Sequence, residues 1–86
     1  MPEISRFYGI VIAIFWDDHN PAHFHAHYGQ HKAAIEIGSM RVLEGKLPPR
    51  ALGLVVEWAS QHNDELMRNW EAARNNRPLR KIDPLA

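Results

Sequence analysis

The sequence predicts a single α+β domain over residues 1–86, a small antiparallel sheet of about four strands packed against one long C-terminal helix. Three observations predict it. Residues 10–16 form an apolar run rich in β-branched and aromatic side chains, too short for a helix and suited to a strand. Residues 23–28 alternate strictly, with His23, His25 and His27 on one face and Phe24, Ala26 and Tyr28 on the other. Leu52, Val55, Val56, Ala59, Leu66, Trp70 and Ala73 recur at helical spacing.

Taken in order, the strands occupy about residues 5–44, the helix about 48–75 and an extended tail 76–86. The run 10–16 starts after Gly9 and ends at the turn cluster Asp17, Asp18, His19, Asn20 and Pro21. Being apolar on both faces, it reads as a central strand. The alternating segment 23–28 follows a short connection, so it pairs antiparallel. Gly29, Gln30 and His31 make a turn, residues 32–37 a third strand, Gly38 and Ser39 a hairpin turn, and residues 40–44 a fourth strand that Gly45 ends. Pro48 and Pro49 suit the first turn of a helix. Asn75, Asn76, Arg77 and Pro78 stop it.

Eighty-six residues bury only about 60% of the unfolded surface, enough for one core. There is no cysteine, which excludes disulfides, thiolate metal sites and a cysteine nucleophile. Threonine is also absent and the serines are Ser5, Ser39 and Ser60, none in a nucleophile motif. The longest apolar run is seven residues, against about 20 needed to span a bilayer. Asp17 and Asp18 follow that run without a small-residue cleavage pattern, so no signal peptide is expected and the expected location is cytoplasmic. Net charge is zero, but residues 1–67 hold five Lys/Arg against eight Asp/Glu and residues 68–86 hold five against two. The basic end is either a solvated helix end and tail or a means of steering an acidic partner or RNA.

Histidine carries the chemistry. Five of the six histidines fall between His19 and His31. His23, His25 and His27 point the same way at steps of about 7 Å, near enough for two imidazoles to meet on one metal ion. His19 in the preceding loop is a candidate further ligand, and Asp17 or Asp18 a candidate oxygen ligand or acceptor that fixes an imidazole tautomer. With nitrogen and oxygen donors, zinc, nickel, manganese and iron are all admissible. A second reading needs no metal: His23 and His25 act as general base and acid in RNA cleavage, with Arg6 or Arg50 as cation for the phosphorane. A third has the histidines serving only packing and backbone hydrogen bonds.

The segment His19-Asn20-Pro21-Ala22-His23-Phe24-His25-Ala26, with the apolar strand before it, resembles a small bacterial family, the domain of unknown function 4160. The resemblance extends to Met1-Pro2, Ile4-Ser5-Arg6-Phe7, Glu44-Gly45-Lys46-Leu47-Pro48, Glu57-Trp58 and Asn69-Trp70. It carries over to His19, Pro21, His23 and His25, whereas His27 and His31 look like additions and Ala22 replaces a second proline. The resemblance implies one member of a two-gene, toxin–antitoxin-like module, with a small protein partner encoded nearby.

On the helix, Leu54 and Trp58 lie to one side of the main stripe. They mark either a surface for a partner or a second copy of the chain, or a broad buried face. His62 sits at the stripe's edge, and Trp16 belongs to the core or walls the histidine site. The expected function is therefore a small effector domain with a metal or RNA-cleaving site on residues 19–27. A non-enzymatic interaction module, with structural histidines and a working helix face, is the alternative.

Overall fold

The computed structural model describes residues 2–86; Met1 lies outside it. Five strands run β1 (Glu3–Phe7), β2 (Ile10–Ala13), β3 (His23–Tyr28), β4 (His31–Glu36) and β5 (Val42–Lys46). Two helices follow, α1 (Pro49–Gln61) and α2 (Asn63–Arg74). The sheet is an antiparallel meander in the order β1-β2-β3-β4-β5. The α+β class holds; the element count differs in three places.

The first is β1, which the sequence reading left unassigned. Its register shifts between Glu3 and Ser5, so Ile4 and Phe7 are both buried although they are three apart. A bulge of this kind breaks the period of two that marks a strand. The second is the run 10–16, of which only residues 10–13 pair as strand. Ile14 remains buried, but Trp16 lies at the surface, 46% exposed, with its indole N–H donating to the Arg77 carbonyl. Trp16 is thus neither core nor a wall of the histidine site. β5 likewise begins later than expected, because Met40 takes a left-handed turn conformation and its N–H donates to Glu36 O.

The third is the helix, which breaks at His62. The backbone there leaves helical geometry, His62 N–H closing the first helix on Ala59 O and His62 O receiving Leu66 N–H to open the second. Asp64 and Glu65 fall in the first turn of α2, where the positive end of the helix dipole favours them. No Gly or Pro marks the break, so the apolar period reads through it.

One face of the sheet meets the helices. Trp58 is fully buried, its ring 5.2 Å from Phe7 and 6.1 Å from Phe24, and its N–H donates to Asp83 O at 2.8 Å. Leu54 is partly buried and packs against the same core. The Leu54–Trp58 contact surface considered for a partner is therefore not formed: the sheet and the tail together cover the indole. The residues after α2 have no regular structure but are held in place. Asn69, buried in α2, donates to Arg80 O at 2.9 Å and accepts from Arg80 N–H at 2.8 Å. Ile82 N–H donates to Ile4 O at 2.8 Å, so the tail lies along the free edge of β1. None of the helices among the described residues is long and apolar enough to cross a membrane.

Asn69→Ala removes both clamps and leaves the Arg80 amide and carbonyl without partners. The expected cost is about 2 kcal/mol in urea unfolding. Trypsin should cut the variant faster after Arg80 and Lys81 than the parent chain, and equal rates would mean that the tail is held elsewhere.

Candidate functional site

After β2 the chain must turn back to begin β3, and residues 14–22 make that connection. A short turn closes when Asp18 N–H donates to Phe15 O at 3.3 Å. The Asp18 carboxylate answers by accepting Phe15 N–H at 3.2 Å. This brings Asp18 back over the sheet face on which β3 displays His23, His25 and His27. The alternation read from the sequence is thus kept, with Phe24 and Ala26 buried beneath.

Three of the candidate ligands converge. One donor atom each from Asp18, His23 and His25 lies within 4.8 Å of the others. His25 Nε2 stands 3.1 Å from Asp18 Oδ2 and 3.3 Å from Oδ1. His23 Nε2 stands 3.6 Å from Asp18 Oδ1. Donors bound to one tetrahedral ion at about 2.0–2.1 Å stand about 3.3 Å from each other. The protein already holds the carboxylate and the two imidazoles near that spacing.

Hydrogen bonding fixes one tautomer. His23 Nδ1 lies 2.7 Å from the Pro21 carbonyl, which only accepts, so Nδ1 carries a proton. In the neutral ring Nε2 is then an acceptor, and it faces the Asp18 carboxylate, another acceptor, at 3.6 Å. Two acceptors in that position call for a proton or a cation between them. For His25, burial pushes the pKa below its ordinary value, opposed by the Asp18 charge and hydrogen bond and aided by His23 and His27. A neutral imidazole is the form that binds a metal or takes a proton.

Rings shape the surroundings. Phe15 meets His25 edge-on at 4.7 Å, His23 and His25 meet edge-on at 5.1 Å, and Trp70 of α2 lies 5.2 Å from His23. Phe15 and Trp70 flank the cluster and were not assigned to it from sequence. Phe15 read as strand and Trp70 as helix stripe, and neither reading says which side chain ends beside an imidazole.

The remaining candidates fall elsewhere. Asp17 and His19 are exposed and do not join the group, because the turn that bends Asp18 inward leaves its neighbours in solvent. His27 lies one pleat further along the same face, and His31 is exposed at the start of β4. Arg50 is exposed in the first turn of α1, and Arg6 is bound to Glu3 at 2.8 Å. His62 pairs with Glu65 at 2.6 Å at the helix break. A groove of about 1110 Å³ runs between α2 and the tail and contains none of the histidines. The side chains of Asp18, His23 and His25 are 16%, 13% and 24% exposed, so the cluster is partly buried yet reachable from solvent.

Burial of His25 gives the metal-free protein a pH dependence. With its folded pKa lowered, the unfolded chain binds the proton more tightly, so this stability is complete above about pH 6.5 and falls as the solution is acidified towards the folded value. In chelator, urea midpoints measured from pH 8 to 5 should decline more steeply for the parent chain than for His25→Asn. Parallel curves would rule out the burial effect.

The family model described as "Domain of unknown function (DUF4160)" matches residues 9–71, which include the whole Asp18–His23–His25 cluster and Trp70. No curated protein and no solved structure matches the chain.

Proposed function

We propose that this chain, which belongs to the family of domains of unknown function 4160, holds one divalent cation on Asp18, His23 and His25 and uses it to cleave single-stranded RNA. The carrying observation is the pair of facing acceptors, His23 Nε2 and Asp18 Oδ1, with His25 Nε2 close by. A cation between them removes the repulsion and fills the site with two nitrogens and one oxygen. That donor set suits zinc, nickel, manganese or iron. Three protein ligands leave a position open for water, as catalytic sites require.

Substrate size and chemistry narrow the reaction. The three side chains are partly exposed on the sheet face, where a polymer can reach them. One metal lacks the paired clamp that phosphodiester hydrolysis by external water often uses. RNA supplies its own nucleophile. The cation that Asp18, His23 and His25 would hold would supply a water-derived base for the 2′-hydroxyl proton; the 2′-oxygen would bond to phosphorus as the P–O5′ bond breaks with its electron pair. Water protonates the departing 5′-oxygen, and a 2′,3′-cyclic phosphate remains. In the cytoplasm of a bacterium, such an effector would fit a two-gene, toxin–antitoxin-like module, held in check by a small protein partner encoded nearby. A homo-oligomer is compatible with this arrangement.

The competing reading treats the cluster as a polar staple for residues 14–22, in a non-enzymatic interaction module. It is favoured by the fact that His23 and His25 already have partners within the chain. Untagged protein should carry close to one equivalent of metal, lost in His23→Ala and kept in Asp17→Ala and His19→Ala. RNA should be cut to cyclic-phosphate ends, with activity abolished by chelator and restored by the metal. Absence of both metal and cleavage would leave only the staple. Cleavage that persists in chelator with a bell-shaped pH profile would replace the metal with a histidine acid–base pair.

A further inference from the structure

The sheet face that carries the histidines also carries a cationic row. Register places Arg6 opposite Val11, Val11 opposite His27, His27 opposite Lys32 and Lys32 opposite Lys46. These residues form one line across all five strands, about 19 Å long at about 4.8 Å per strand. Lys32 and Lys46 are exposed and directly opposed, an arrangement that destabilises a sheet. Among the described residues neither lies within ion-pair distance of a carboxylate. Arg6 and Lys81 share the single Glu3 carboxylate. Of the acids on this face, Glu3 and Glu36 are thus engaged by arginines, Asp18 lies against His23 and His25, and Glu44 has no ion pair among the described residues.

A second feature lies beside the row. The β1–β2 and β3–β4 turns emerge at the same end of the meander. The first of them displays Tyr8, 61% exposed, whereas Tyr28 at the end of β3 has the parity of Phe24 and Ala26 and belongs to the other face. His23 begins β3 and Tyr28 ends it, so the tyrosine end and the Asp18–His23–His25 cluster are about 17 Å apart along one strand. Cations that follow a phosphate backbone and aromatic rings that stack bases are the two parts of a single-strand binding surface.

We propose that this face is the docking track for single-stranded RNA. Lys32, Lys46 and His27 take the phosphates, Tyr8 stacks a base at the turn end, and the strand is led towards the Asp18–His23–His25 site. The choice of RNA rests on the reaction proposed for that site; the docking itself does not require a metal. The opposed lysines are kept because the polyanion relieves their repulsion.

The test uses the full chain in chelator with a fluorescent 12-nucleotide RNA that carries 2′-O-methyl groups and resists cleavage. Binding should be seen by anisotropy at low salt. Each lysine that meets a phosphate contributes about 0.7 to the slope of log affinity against log salt. Lys32→Gln/Lys46→Gln should therefore flatten the slope by about 1.4, with an unchanged circular dichroism spectrum. Lys32→Arg/Lys46→Arg should keep the parent slope. Tyr8→Ala should weaken binding at least fivefold, and Arg68→Gln, which removes an exposed cation of α2, should keep the parent slope. Absence of binding at low salt, or an unchanged slope in the glutamine variant, would overturn the track. Equal or tighter binding of the matching single-stranded DNA or of duplex RNA would overturn its assignment to single-stranded RNA. Loss of metal or cleavage with RNA binding intact would strike the site alone.

Discussion

Trp58 joins three parts of the chain that have no covalent reason to meet. Its ring lies against Phe7 of the first strand and Phe24 of the third, while its N–H reaches Asp83 in the tail. Losing such a side chain costs about 3–5 kcal/mol, a large share of what a domain this small has to spend. Once helix, sheet and tail are locked on that side, the sheet has one face left open. The Asp18–His23–His25 cluster lies on that face.

The site on it depends on a conflict that the fold creates and does not resolve by itself. The Pro21 carbonyl holds a proton on one nitrogen of His23, and so aims the lone pair of the other at Asp18. The turn from Phe15 to Asp18 prevents the carboxylate from swinging away, because the same carboxylate accepts the Phe15 amide. Phe15 and Trp70 limit ring motion on either side. The donors are therefore set before any ion arrives, which lowers the ordering cost of binding one.

The alternation at residues 23–28 was legible because a strand with one buried face must repeat every two residues, and the histidines follow that rule. The candidate pair His23 and His25 could be named for the same reason. Choosing Asp18 over Asp17 was not possible, since adjacent loop residues differ only in the direction in which the turn sends them. β1 was hidden by its bulge, and the helix break by a polar stretch, Ser60 to Asp64, that contains neither proline nor glycine. On the helical wheel Trp58 fits either a partner surface or a broad buried face, and the wheel cannot choose because it knows nothing of the tail. Sequence period describes what one element presents; it is silent about segments that return from far along the chain.

That returning tail has a consequence for handling the protein. Through Ile82 and Ile4 it occupies the outer rim of the first strand, leaving the fifth as the uncovered rim. A strand with unpaired amides readily recruits another chain. Removing the contact of Ile82 with Ile4 would open a second such rim and allow pairing from both sides. Affinity tags are better placed at the N-terminus, and the intact C-terminus is a property to verify by mass before any assay.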